Sequence, residues 1–189
     1  MNDDLSPPDG PRGFPKGILV AGAIALIVAW VLRLVITPDS SAQIGKPFPP
    51  IEAGGWINEP GPSPEDLKGQ ILVVDAWAFW CIPCQAIAPY LIDLHDRYQS
   101  KGVKFLGLTS EGGDRKGLEM SRMFVDKLKI PWPNAYLAIE PLKALEVEAI
   151  PQLWIVDRDN RIIFHEVGFH QGSIASMEKV LDEALSRTP

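Results

Sequence analysis

The 189-residue sequence predicts an α/β domain, a central mixed sheet flanked by helices, set behind an N-terminal transmembrane helix. Three observations predict it. First, the run Ile71-Leu72-Val73-Val74-Asp75-Ala76 is rich enough in β-branched residues to read as a buried strand, and Ile87, Leu91, Leu94 and Tyr98 follow it at helical spacing. Second, strand-helix-strand is followed by a hairpin and a last amphipathic helix, which combines parallel and antiparallel pairing in one sheet. Third, residues 17–36 are apolar except for Arg33. At about 1.5 Å per residue a helix of that length spans the roughly 30 Å of a bilayer's hydrocarbon.

Taken in order, residues 1–16 are polar, rich in Pro, Gly and Asp, and predict a disordered tail. Residues 17–36 predict a membrane anchor whose Arg33 snorkels to the interface. The alternative is a signal peptide cut near Ser40-Ser41-Ala42, which would yield a secreted protein; the length of the run favours the anchor. Arg12 and Lys16 precede the span, so the N-terminus is expected in the cytoplasm and the domain in the periplasm or its extracytoplasmic equivalent. Residues 37–46 read as a linker and 47–189 as the folded domain.

Within that domain, a Pro- and Gly-rich lead-in carries short strands around Ile51 and Trp56, and Ser63 caps a helical turn through Leu67. The Ile71 strand and the Cys81 helix come next, with Pro89 expected to kink the helix. Residues 103–109 read as a strand and 111–114 as a loop. Residues 115–129 read as a helix with Leu118, Met123 or the stem of Arg122, Val125 and Leu128 inward. Residues 131–133 break it, 135–138 form a short strand and 141–147 a short helix. The runs 153–156 and 161–167 flank the polar turn Asp157-Arg158-Asp159-Asn160 as a hairpin. Ser173 is expected to cap a last helix through Ser186, with Ile174, Met177, Val180, Leu181 and Leu185 as its apolar face.

Cys81 and Cys84 are the only cysteines. Cys81 falls where the strand ends and the helix begins, where unpaired N–H groups and the helix dipole favour negative charge and so the reactive thiolate. Cys84 is one helical turn on, within disulfide reach, and Pro83 suits the first turn, where its missing N–H costs nothing. Zinc would need four ligands, leaving His95, His165 and His170 to complete the pair, and His165 reads as a solvated strand position. Covalent haem would need a histidine where Gln85 stands. A peroxidatic cysteine would have Thr or Ser where Ala78 stands. The net charge of -6 argues against a nucleic-acid partner. Dithiol/disulfide exchange is the reading that remains.

This stretch resembles thioredoxin. Trp77 and Trp80 stand before Cys81 as that family's tryptophans do, Asp75 falls on the position of its buried aspartate, and Ile150-Pro151 begins a strand as its cis-proline does. Over residues 44–187 the pattern is similar to the membrane-anchored branch typified by TlpA and ResA, which promote cytochrome maturation and other extracytoplasmic thiol chemistry. Two departures stand out: Cys-Ile-Pro-Cys is neither the Gly-Pro nor the Pro-His version of the motif, and many anchored relatives carry an uncharged residue in place of Asp75.

The resemblance implies a thioredoxin-like fold with an insertion over 111–148, and a thiol:disulfide oxidoreductase of the protein-disulfide reductase type. Cys81 would be the nucleophile, Cys84 the resolving thiol and Cys81–Cys84 the redox-active disulfide. Asp75, desolvated behind them, would take the Cys84 proton. Trp80, Ile82, Pro83, Ile150 and Pro151 would bind the client, the Ile150 backbone pairing with an extended segment. Gly168 matches a family glycine near that groove. Neither cofactor nor metal is implied. The partners implied are protein thiols and disulfides and a membrane electron donor. The reading from another class is a non-enzymatic module of the same fold, for metal delivery or protein binding.

Overall fold

The computed structural model describes residues 40–187, apart from 59 and 171, together with residues 22, 26–28 and 30. The chain separates into two units, Met1–Asp39 and Ser40–Pro189. The described residues of the first are helical, with Leu26, Ile27, Val28 and Trp30 exposed. The expected tail and most of the expected anchor lie outside the described residues, among which no helix is long and apolar enough to cross a membrane.

The second unit is built on a six-stranded sheet. Its strands are β1 (Gly55–Ile57), β2 (Ile71–Ala76), β3 (Val103–Leu108), β4 (Asn134–Tyr136), β5 (Gln152–Val156) and β6 (Ile162–Val167), in the order β1-β4-β3-β2-β5-β6. β2 is parallel to β3 and antiparallel to β5, and β5 and β6 form the expected hairpin. All six residues of β2 are buried, as an apolar strand with neighbours on both edges and cover on both faces requires.

The helices are α1 (Pro64–Leu67), α2 (Ile82–Tyr98), α3 (Arg115–Leu128), α4 (Ile139–Ala144) and α5 (Ser173–Ser186). Alternation along β2 divides the core in two. Ile71, Val73 and Trp77 face a layer made by α2, α3 and α5. Leu72, Val74 and Ala76 face Phe48, Leu145 and Trp154, with Leu67 of α1 and Leu142 of α4 packed around them. The α2 stripe Ile87, Leu91, Leu94 and Tyr98 is buried as its spacing predicts, and Ser63 caps α1 through a reciprocal pair with Asp66.

Five expectations are corrected. Residues 40–46, read as linker, are docked: Ser40–Gln43 is a 3-10 turn, and Gly45 N–H donates to the Ile162 carbonyl at 2.8 Å. No strand forms at Ile51. Met123 is 62% exposed while Phe124 is buried, because Met123 lies roughly 160° around α3 from Val125. Ser173 does not cap α5; the cap position is Gly172, and Ser173 Oγ instead accepts from the His170 N–H at 3.0 Å and donates to Glu166. His165 is buried rather than solvated, stacked on Trp154 with ring centroids 5.2 Å apart, because residues 43–48 cover that face.

Candidate active site

Residues 77–80 carry the chain from β2 to Cys81, which occupies the N-cap of α2 with extended backbone. Its Sγ accepts the Cys84 N–H at 3.2 Å, taking one of the donors a helix start leaves unpaired. Cys81 and Cys84 are joined as a disulfide with Cα atoms 5.2 Å apart. Each cysteine is only 3% exposed in this oxidised form. A difference in reactivity between them therefore has to come from position along the helix, not from exposure. A thiolate at Cys81 keeps the N-cap hydrogen bond and the favourable end of the dipole; Cys84 lies inside the helix, past the cap.

Trp80 and Ile82 form an open apolar rim, 61% and 77% exposed, with Pro83 exposed beside them. Trp80 Nε1 donates to Glu111 Oε1 at 2.9 Å, tying the rim to the β3–α3 loop. The Ile150–Pro151 bond is cis. Ile150 packs on the core layer that holds both cysteines, and the Pro151 carbonyl accepts from Gly168 N–H at 2.7 Å. Gly168 has φ +84, a conformation in which its lack of Cβ removes the steric cost.

Asp75 lies on the cysteine face of the sheet, between Val73 and Trp77 in the alternation, and is 9% exposed. Burial pushes its carboxyl up to about 7, against smaller opposing influences from the Trp132 indole and its own backbone amide. A carboxyl that titrates near neutrality can take and return a proton at working pH.

Three residues beside Asp75 were not singled out from the sequence. Gly107, its register partner on β3, leaves room for the neighbours: a Cβ there would stand 2.0 Å from Asn134 Oδ1 and 2.7 Å from Trp77 Nε1. Asn134 accepts from Trp77 Nε1 at 3.0 Å and donates to the Trp132 carbonyl at 2.7 Å. Trp132, read only as part of a proline-flanked helix break, is 3% exposed in the same core layer as the cysteines. The one hint in the sequence was a large aromatic held between two prolines just before a strand.

The AhpC/TSA family pattern matches residues 44–165, from the docked segment through most of β6. The chain belongs to the AhpC/TSA family. Within it, the chain is similar to the thiol-disulfide oxidoreductase ResA of Bacillus thuringiensis subsp. konkukian, 28% identical over 100 residues that cover 52% of this chain and 56% of that protein. The chain thus spans little more than half the length of that relative. A shorter match joins it to the protein DipZ of Mycobacterium bovis, 37% identical over 57 residues, 29% of this chain and 8% of that one.

Among solved structures, a thiol-disulfide isomerase from Corynebacterium glutamicum is 26% identical, with a TM-score of 0.65 over 75% of this chain and 97% of its own. A DsbE-type thiol:disulfide interchange protein from Chlorobium tepidum has the same fold, at a TM-score of 0.63 and 21% identity over 76% and 98%. The fold of this AhpC/TSA member is thioredoxin-like, a mixed sheet flanked by helices, and the resemblance to the ResA and TlpA branch holds.

Proposed function

We propose that this chain is a thiol:disulfide oxidoreductase that reduces protein disulfides outside the cytoplasm. The observation that carries the reading is the Cys81–Cys84 pair at the N-cap of α2 with a buried carboxyl on the same face of the sheet. In the reduced enzyme the Cys81 thiolate attacks one sulfur of a client disulfide; a Cys81–client S–S bond forms and the other client sulfur leaves as thiolate. Cys84 then gives its proton to Asp75 and attacks Cys81 Sγ. The Cys81–Cys84 disulfide forms, the second client thiolate leaves, and the Asp75 proton returns to a departing thiolate or to water. Two electrons pass to the client, and a dithiol donor in the membrane restores them.

Trp80, Ile82 and Pro83 supply the apolar rim for an extended client segment, with Ile150 and Pro151 along its other side. Residues 17–36 anchor the domain, which faces the periplasm or its equivalent. Support for cytochrome maturation as the setting comes from the resemblance to ResA and TlpA.

The test is a non-reducing gel of Cys84→Ala purified from its own cells, beside Cys81→Ala. Without Cys84 the mixed disulfide has no intramolecular exit. Discrete high-mass bands in Cys84→Ala that vanish with dithiothreitol, and are missing from Cys81→Ala, are expected. Equal bands from both variants, or none from either, would remove the exchange chemistry and leave a binding module.

A further inference from the structure

Trp132 presents a buried side chain whose only polar atom has no partner. An indole is a donor only, and buried donors are almost always paired. Yet Trp132 Nε1 is sealed from solvent and makes no hydrogen bond of ordinary geometry. The rest of the residue is held firmly. Its carbonyl accepts from Asn134 Nδ2 at 2.7 Å and from Asn58 Nδ2 at 3.3 Å. Its ring packs against Phe105 and His95, each with centroids 5.6 Å away. The neighbouring Pro133 carbonyl accepts from Gly107 N–H at 3.0 Å, which lays this segment along β3 at the register position of Asp75.

We propose that Trp132 is a positioning residue for the thiol exchange, its indole N–H held for the carboxylate of Asp75. The inference rests on reading Asp75 as the proton acceptor of Cys84. The indole favours charge on Asp75, although its N–H makes no hydrogen bond of ordinary geometry to it. When Cys84 must lose its proton, Asp75 has to be ionised and aimed to receive it. A donor fixed on the protein side supplies both, because it attracts the ionised carboxylate more strongly than the neutral acid.

Other groups are badly placed for this. Glu166 shares the face, two strands away across Leu153, but its carboxylate is engaged by Ser173 and His170. His95 lies against the Trp132 ring with its Nδ1 turned to Asp96 at 3.1 Å. Tyr98, in the same layer, turns its hydroxyl to Asp182 at 2.9 Å, Cys81 and Cys84 are joined as the disulfide, and no charged side chain figures among the influences on Asp75.

The test is a carboxyl 13C NMR titration of full-length protein labelled at aspartate Cγ, with the Asp75 signal assigned by its loss in Asp75→Asn. Trp132→Phe removes the N–H and keeps an aromatic ring; should it fail to fold, 3-benzothienylalanine at position 132 removes only the donor. Trp154→Phe, which removes an indole N–H from the opposite face, is the control. The Asp75 midpoint should rise by about half a unit or more in the Trp132 variants. It should stay put in the control, and the pH profile of mixed-disulfide resolution should move with it. An unmoved midpoint overturns the Trp132 assignment while leaving Asp75 to be judged by its own variant. A moved midpoint with an unmoved kinetic profile overturns Asp75 as acceptor, and with it the catalytic part of this inference.

Discussion

The two faces of the sheet each bury polar groups, but they treat them differently. Behind β5, Trp154 Nε1 donates to Gln43 Oε1 at 2.8 Å, and Gln43 Nε2 in turn donates to the Leu145 carbonyl. His165 shares a 2.9 Å contact with Gln152 Oε1, whose Nε2 donates to the Ala149 carbonyl at 2.9 Å. On the cysteine face, a carboxyl is buried with its charge disfavoured, and an indole N–H and the Ser121 hydroxyl are left unpartnered. Complete pairing locks the docked segment onto the sheet. Incomplete pairing leaves a buried carboxyl able to change its protonation state near neutral pH, at a standing cost in stability.

The largest expected effect comes from Asp75→Asn. Asp75 has a folded pKa raised from 3.8 to about 7, so the native state binds the proton more tightly than the unfolded chain. Stability is then lost as pH rises from about 4 to about 7, and the loss is fully present above that. The variant should be more stable than wild type by up to about 4 kcal/mol near pH 9, with the gain vanishing below about pH 4. Urea unfolding at several pH values measures it; equal stability across the range would mean that the carboxyl is solvated.

Next in size is Trp154→Phe, which leaves Gln43 Oε1 without its donor. We expect a loss of about 1–3 kcal/mol in urea unfolding, with the pH profile of turnover unchanged. A shifted profile would erase the distinction between the faces. Smallest is Trp80→Ala at the exposed rim, where stability should change by less than about 0.5 kcal/mol. There kcat/KM toward a protein client should fall about 3–10-fold through KM; an effect on kcat alone would take Trp80 out of client binding.

The sheet's centre and its dithiol could be read from the chain because both are local: a buried strand, a 3.6-residue stripe and two cysteines one turn apart. Asp75 needed the resemblance, since alternation gives its face but not what covers it. Trp132 was missed because its partners are reached only through pairing of β3 with β4. His165 was misread for a similar reason, its cover coming from Gln43 and Phe48, more than a hundred residues away. Strand periodicity assigns a side chain to one layer or the other and is silent on whether distant chain closes that layer.

The most direct measurement is the rate at which Cys84 resolves a preformed Cys81–peptide mixed disulfide, followed from pH 5 to 9 in wild type and Asp75→Asn. With Asp75 as acceptor, the wild-type rate rises through a midpoint near pH 7. In Asp75→Asn the rate at pH 7 falls about 10²-fold or more and the midpoint moves toward the range of an unassisted thiol, about 8.5. Superimposable profiles from the two proteins would contradict the account.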